Sequence, residues 1–270
     1  MQAVFSVLFW TFFAVSCVVN FVIAVALWIV TAPVDPARRL NHLFSCLWGW
    51  IYTVVYPGWD VRVLNRSRIE HGKAYVLVAN HTSIADIVVL FTLFRQFKWV
   101  SKSTVFRAPF LGWNMFLSRY VPLVRGDPQS IEKMMIVARR WIRRGISIMM
   151  FPEGTRSEDG HVKPFKHGAF TLALETRVPV IPIAIHGGHL LIPKHGRAFA
   201  TRAEITVEVL EPVSPEGHAD ALAFGEVVRS KIRAALGDAG GDQATPSAPG
   251  SLPDGREPAP KPAQRQATAG

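Results

Sequence analysis

Between Ala3 and Ala32 the chain has no charged side chain and a single amide, Asn20. This apolar run exceeds the ~20 residues that carry a helix across a hydrocarbon core. It predicts a membrane-associated helix, either one tilted span or a helix that turns back within one leaflet. A second charge-free run, Leu43 to Trp59, contains Trp48, Trp50, Tyr52, Tyr56 and Trp59 and is broken by Gly49 and by Pro57-Gly58. Its length and aromatic content predict an amphipathic or re-entrant segment at a membrane interface.

Beyond Trp59 short apolar runs alternate with amphipathic stretches. Strands are predicted at Val61–Leu64, Tyr75–Ala79, Trp99–Ser101, Val121–Val124, Ile146–Phe151, Val180–Ile185 and Glu204–Leu210. Helices are predicted at Ile84–Phe94, Pro109–Leu117, Pro128–Arg143, His167–Thr176 and from about Asp220 to Leu236. The helix at Pro128 has the clearest start, with Asp127 as its N-cap and proline at its first position. Its basic face, including Lys133, Arg140 and Arg144, reads either as a solvated surface or as a membrane contact. Such alternation predicts an α/β fold: a central, mostly parallel mixed sheet flanked by helices and preceded by the membrane-associated segment. Three regions follow: an anchor over residues 1–59, an α/β domain over 60–236, and a tail over 237–270. The tail is too poor in large apolar side chains to offset its ordering entropy and is expected to be disordered.

Charge refines this picture. The formal net charge is +10, with residues 1–236 near +11 and the tail slightly acidic, while the hydrophobic fraction is 49%. A basic body beside an anchor favours anionic lipid or a phosphorylated substrate over nucleic acid, for which no finger spacing or aromatic RNA-binding signature is present. Arg38 and Arg39 follow the first apolar run and no basic residue precedes it, which places the bulk of the chain on the cytoplasmic side. A cleaved signal peptide fits less well, since there is no basic n-region and the run is about twice a normal h-region. Cys17 and Cys46 both lie in the apolar runs and imply neither a disulfide framework nor a thiolate metal site. His186 and His189 lack a convincing set of further ligands, so they are read as loop histidines and no metal is expected.

Two stretches carry candidate chemistry. In VLVANHTSIAD, residues 76–86, His81 and Asp86 stand where a buried strand gives way to a helix. With Ser83 as N-cap, Asp86 falls at the third helical position, where an acid caps the helix and receives backbone N–H groups. Alternatively the turn folds the pair together, so that Asp86 fixes one imidazole nitrogen as a donor and leaves the other as a general base. Asn80 is placed to brace that turn. The second stretch is FPEGTRS, residues 151–157, directly after the apolar strand ISIMM. A loop at the C-terminal end of an α/β strand is a ligand-binding position. Gly154 permits close backbone approach, Arg156 can grip a phosphate bidentately, and Glu153 is suited to orienting Arg156 or the loop.

These blocks, with two more, resemble the glycerolipid acyltransferase family and in particular its 1-acylglycerol-3-phosphate O-acyltransferases. Asn80, His81 and Asp86 match the N-H-x4-D block. Gly112 through Pro122-Leu123-Val124-Arg125 matches the second, residues 151–157 the third, and Val178-Pro179-Val180-Ile181-Pro182 the fourth. The resemblance spans residues 80–182 in order and extends to the preceding membrane-associated segment. It implies that His81 deprotonates the sn-2 hydroxyl of lysophosphatidic acid, which then attacks the thioester of acyl-coenzyme A or acyl-carrier protein to give phosphatidic acid. Asp86 would orient His81. Arg125, Glu153, Gly154, Thr155 and Arg156 would form the phosphate site, with Lys102 a further ligand. Lys102 departs from the family pattern in being followed by Ser103-Thr104 instead of an acid. Backbone N–H groups near Gly154 are candidates for the oxyanion hole. The resemblance implies no cofactor and no metal, membrane lipids as partners, and a catalytic domain on the cytosolic face of the membrane. Other acceptors of the same class, such as a lyso-ornithine lipid, fit the same residues. A serine hydrolase is disfavoured because the chain contains no G-x-S-x-G elbow. A non-catalytic membrane-binding protein would have no reason to keep His81, Asp86, Glu153 and Arg156 together.

Overall fold

The computed structural model describes residues 2–55, 58–157, 159–188 and 203–237. Pro57 of the predicted break at Pro57-Gly58, His189 and the tail from 238 lie outside the described residues. The chain begins with two helices, α1 (Gln2–Thr31) and α2 (Arg39–Val55). The α/β elements follow as β1 (Trp59–Leu64), β2 (Val76–Ala79), α3 (Ala85–Phe91), β3 (Phe97–Lys102), α4 (Leu111–Leu117) and β4 (Val121–Leu123). Then come α5 (Pro128–Arg143), β5 (Ser147–Met150), α6 (Gly168–Thr176), β6 (Val180–His186), β7 (Ala203–Val209) and α7 (Ala221–Leu236). The seven strands form one sheet in the order β1-β7-β6-β2-β5-β3-β4. All neighbours are parallel except β6 and β7, so β1 and β7 run against the other five. The mostly parallel mixed sheet flanked by helices is therefore as the alternating pattern predicts.

The central strands are buried on both sides, and their side chains divide with period two. Val76, Val78, Ile148 and Met150 pack with α5, α6 and α7 on one face, while Leu77, Ala79, Met149 and Ile183 pack with α2 and α3 on the other. The start of α5 is as predicted: Asp127 accepts from Gln129 N–H, and proline occupies the first turn. On α5, Arg139 pairs with Glu175 at 2.7 Å and the Arg144 guanidinium lies 5.4 Å from the Trp141 ring. α5 thus turns its apolar stripe of Met134, Met135, Ala138, Trp141 and Ile142 to the sheet face opposite α2 and carries its arginines on the outer side.

α1 is one uninterrupted helix of 30 residues, about 45 Å long at 1.5 Å per residue, without the turn-back that the sequence leaves open. Its stretch Trp10–Thr31 is long and apolar enough to cross a membrane. α2 differs from expectation, because Gly49 does not break it. A Cβ at Gly49 would lie 2.7 Å from Phe91 Cβ, so the glycine serves close packing of α2 on α3. The buried face of α2 is its more polar one, with Asn41, His42, Ser45, Gly49, Tyr52 and Thr53. Its outer face exposes Leu40, Leu43, Leu47, Trp50 and Val54.

Two buried titratable groups fasten α2 and its connector to the sheet. His42 Nε2 donates to the Arg95 carbonyl at 2.9 Å, which leaves Nδ1 to accept from the Tyr120 hydroxyl at 2.8 Å. Burial, followed by the nearby Lys98, pushes the imidazole down to about 3, so it stays neutral. Lys98 Nζ, on β3, donates to the carbonyls of Ala37 and Ser118, both at 2.7 Å.

Candidate active site

The five parallel strands end on a common edge. His81 follows β2, residues 151–157 follow β5, Lys102 closes β3, and Arg125 lies two residues beyond β4. Neighbouring strands stand ~4.8 Å apart, so β5, β3 and β4 lie one, two and three spacings, roughly 5, 10 and 14 Å, from β2. The sheet therefore brings every predicted site residue to one edge, with the FPEGTRS loop nearest His81.

At the end of β2 both readings of the His–Asp spacing are realised by one carboxylate. Asp86 is fully buried. Its Oδ2 accepts from Thr82 N–H at 2.7 Å, Ser83 N–H at 2.8 Å and His81 Nδ1 at 2.9 Å. A carboxylate only accepts here, so Nδ1 carries the proton and Nε2 presents its lone pair. Nε2 has no protein partner among the described residues, and the His81 side chain is 12% exposed. Ser83 does not cap as expected: α3 begins at Ala85 with Ile84 at the cap, and Ser83 Oγ accepts from Ala85 N–H at 3.3 Å. Asn80 braces the turn by gripping β6. Its Oδ1 accepts from Ile185 N–H at 2.8 Å and its Nδ2 donates to Ile185 O at 3.1 Å.

The FPEGTRS loop divides into residues that hold His81 and residues that face outward. Glu153 Oε1 accepts from His81 N–H at 2.7 Å, and Ser157 N–H donates to His81 O at 2.7 Å. The backbone of His81 is thus clamped on both sides of its residue. The Phe151 ring stacks on the imidazole at 3.9 Å and 11°. Glu153 Oε2 accepts from Lys163 N–H at 3.2 Å, and the side chain is 4% exposed. Burial pushes its carboxyl up to about 7, against the pull of the two amides. The carboxylate expected in the phosphate set is therefore turned inward, where it aligns His81 and shapes the loop. Gly154 takes φ +74, Thr155 is exposed and Arg156 is half-buried. Gly154 N–H bonds Phe151 O at 3.1 Å, so this amide is engaged in the turn. Lys102 and Arg125 are exposed on the same edge.

Several residues here are not singled out by sequence. Lys163 Nζ donates to Arg156 O at 2.9 Å, and Lys166 N–H donates to Pro152 O at 2.9 Å, which folds residues 163–166 back onto the loop. The basic spacing in VKPFKHG, directly after the motif, is the signal that marks them. His186 is a strand-end residue whose Nε2 lies 3.1 Å from Glu208 Oε2 on β7.

Residues 60–186 match the family model described as Acyltransferase. They form an acyltransferase-family domain. The chain is 36% identical over 217 residues to a 1-acyl-sn-glycerol-3-phosphate acyltransferase of Chlamydomonas reinhardtii, covering 78% of this chain and 64% of that protein. It is 33% identical over 208 residues to a chloroplastic 1-acyl-sn-glycerol-3-phosphate acyltransferase of Arabidopsis thaliana, covering 75% and 58%. The chain thus spans about half to two thirds of the length of these curated relatives. The fold superposes on the crystal structure of the 1-acyl-sn-glycerophosphate (LPA) acyltransferase PlsC from Thermotoga maritima. The TM-score is 0.74 at 24% identity, covering 88% of this chain and 97% of that one. The acyltransferase domain carries His81, Asp86 and the FPEGTRS loop within its matched residues, and Arg125 and Lys102 as well.

Proposed function

We propose that this chain is a 1-acyl-sn-glycerol-3-phosphate acyltransferase: it transfers an acyl group from an acyl thioester to the sn-2 hydroxyl of lysophosphatidic acid. The observation that carries this reading is the His81–Asp86 pair with its aligned backbone, inside a domain whose relatives bear that name. His81 Nε2 takes the hydroxyl proton as the oxygen attacks the thioester carbonyl. Asp86 stabilises the imidazolium that forms, and the stacked Phe151 ring packs against one of its faces. The tetrahedral intermediate expels the thiolate, which leaves as thiol with the proton from His81, and phosphatidic acid results. Thr155 N–H, without a protein partner among the described residues, is the loop donor suited to the developing oxyanion.

Arg156, next to the Ser157 whose N–H is bound to His81 O, holds the acceptor's phosphate, and Lys102 and Arg125 complete the cationic edge. The donor is acyl-coenzyme A or acyl-carrier protein, and the product enters phospholipid biosynthesis. α1 and the apolar outer face of α2 hold the domain at the membrane where acceptor and product reside, with the domain on the cytosolic side. The test is acyl transfer by detergent-purified protein, with oleoyl-coenzyme A and oleoyl acyl-carrier protein offered in turn and lysophosphatidic acid or lyso-ornithine lipid as acceptor. Phosphatidic acid from either donor supports the reading; product from lyso-ornithine lipid alone replaces the substrate; no transfer from either donor overturns it.

A further inference from the structure

We infer that Lys166 is a binding residue for a substrate phosphate, on the reading of the site given above. The lysine lies outside the four sequence blocks, yet its side chain crosses the phosphate loop. A Cβ placed on Gly154 would meet Lys166 Cε at 3.0 Å and Nζ at 3.2 Å, so the ammonium lies against the bare backbone of that glycine. Gly154 needs its φ of +74 for the turn, and the absence of a side chain there also leaves room for this lysine.

The lysine's backbone is fixed by its N–H bond to Pro152 O at 2.9 Å, so its stem starts from a defined point on the loop. The neighbouring Lys163 is used differently: its ammonium is bound to Arg156 O and its N–H to Glu153. Lys166 Nζ has no such internal use among the described residues, and the side chain is exposed. A cation held beside Gly154, in the loop that carries Arg156, with its donors free is matched to a phosphate, whose charge of about −1.5 to −2 as a monoester at pH 7 exceeds what one guanidinium neutralises. That phosphate belongs to the acceptor or to coenzyme A, and the assay separates the two.

The experiment compares full-length wild type, Lys166→Gln and Lys166→Arg in detergent, with lysophosphatidic acid and oleoyl-coenzyme A varied separately. Lys166→Gln is expected to raise the KM of one phosphate-bearing substrate about tenfold with kcat within about twofold, and Lys166→Arg to restore most of it. A rise confined to lysophosphatidic acid assigns the acceptor's phosphate; a rise confined to oleoyl-coenzyme A assigns the donor's. Unchanged KM values for both substrates in Lys166→Gln overturn the inference and leave the acyltransferase reading standing. A wild type that acylates no lysophosphatidic acid overturns both.

Discussion

Gly188 lies against Asp86 so closely that a Cβ on the glycine would stand 2.7 Å from Asp86 Oδ1. The same atom would stand 2.8 Å from Thr82 Oγ1. Asn80 sets this contact by tying Ile185, just upstream, to the end of β2. Gly188→Ala must therefore displace the carboxylate that aims His81. A misplacement near 1 Å costs on the order of a hundredfold in rate, so kcat should fall ~10–100-fold with both KM values within about twofold. Gly168→Ala, where no atom lies within 4 Å, is the control and should leave kcat unchanged. Equal kinetics for the two variants would refute the role of Gly188.

Glu153 gives stability a pH dependence of definite sign. Its folded-state value, about 7, lies above the ordinary 4.5. Between these values the folded chain binds more protons than the unfolded one, so stability falls as pH rises from about 4.5 to 7 and is level above. The ceiling on this contribution is about 3 kcal/mol at 1.36 kcal/mol per unit. Glu153→Gln should flatten melting temperature across that window, while losing activity because the amide cannot accept from both His81 and Lys163. A slope retained by Glu153→Gln would assign it to another group.

Lys98 predicts the opposite slope in a higher window. Burial chiefly brings its amine down from 10.5 to about 7, with Arg119, Arg38 and Arg39 adding to the fall and Asp35 opposing it. Its ordinary value is the higher one, so the unfolded chain binds more protons between about 7 and 10.5 and stability rises with pH there. The neutral amine keeps two N–H donors for the carbonyls of Ala37 and Ser118. Lys98→Met should abolish the rise and loosen the α1–α2 connector, read as faster proteolysis near Ala37. A melting curve that still climbs between pH 7 and 10 in Lys98→Met would contradict this.

The outer face of α2 is exposed and apolar at Leu43, Leu47 and Trp50. Leu47→Glu with Trp50→Glu should cut activity on vesicle-borne acceptor several-fold, yet leave activity in mixed detergent micelles near wild type. Equal loss in both assays would show a folding defect instead of a lost membrane contact.

What the sequence makes legible follows from how local each signal is. α5 is readable to the residue because Asp127 and Pro128 act within one turn. His81 and Asp86 are readable as a pair because one loop and one helical turn join them. Gly49 misleads because its local cost as a helix interior glycine is outweighed by its contact with Phe91, 42 positions away in sequence and unseen by any periodicity. Lys98 falls just ahead of the predicted strand at Trp99 and carries no signal of its own, since its carbonyl partners come from residues 37 and 118. Glu153 is legible as a residue that orients the loop, and the family resemblance sets it with the phosphate ligands; only the tertiary fold shows its carboxylate on the His81 amide. The alternating strands and helices are legible because burial on both faces leaves its mark along the chain itself.

The central claim is that His81 is the general base of acyl transfer. It is tested most directly by the rate of phosphatidic acid formation from labelled oleoyl-coenzyme A and lysophosphatidic acid, wild type beside His81→Ala of equal melting temperature. A positioned base contributes about 10²–10⁴-fold, and the variant should lose that much of kcat while still binding both substrates. Activity within tenfold of wild type, or thioester hydrolysis without transfer in the wild type, would contradict the account.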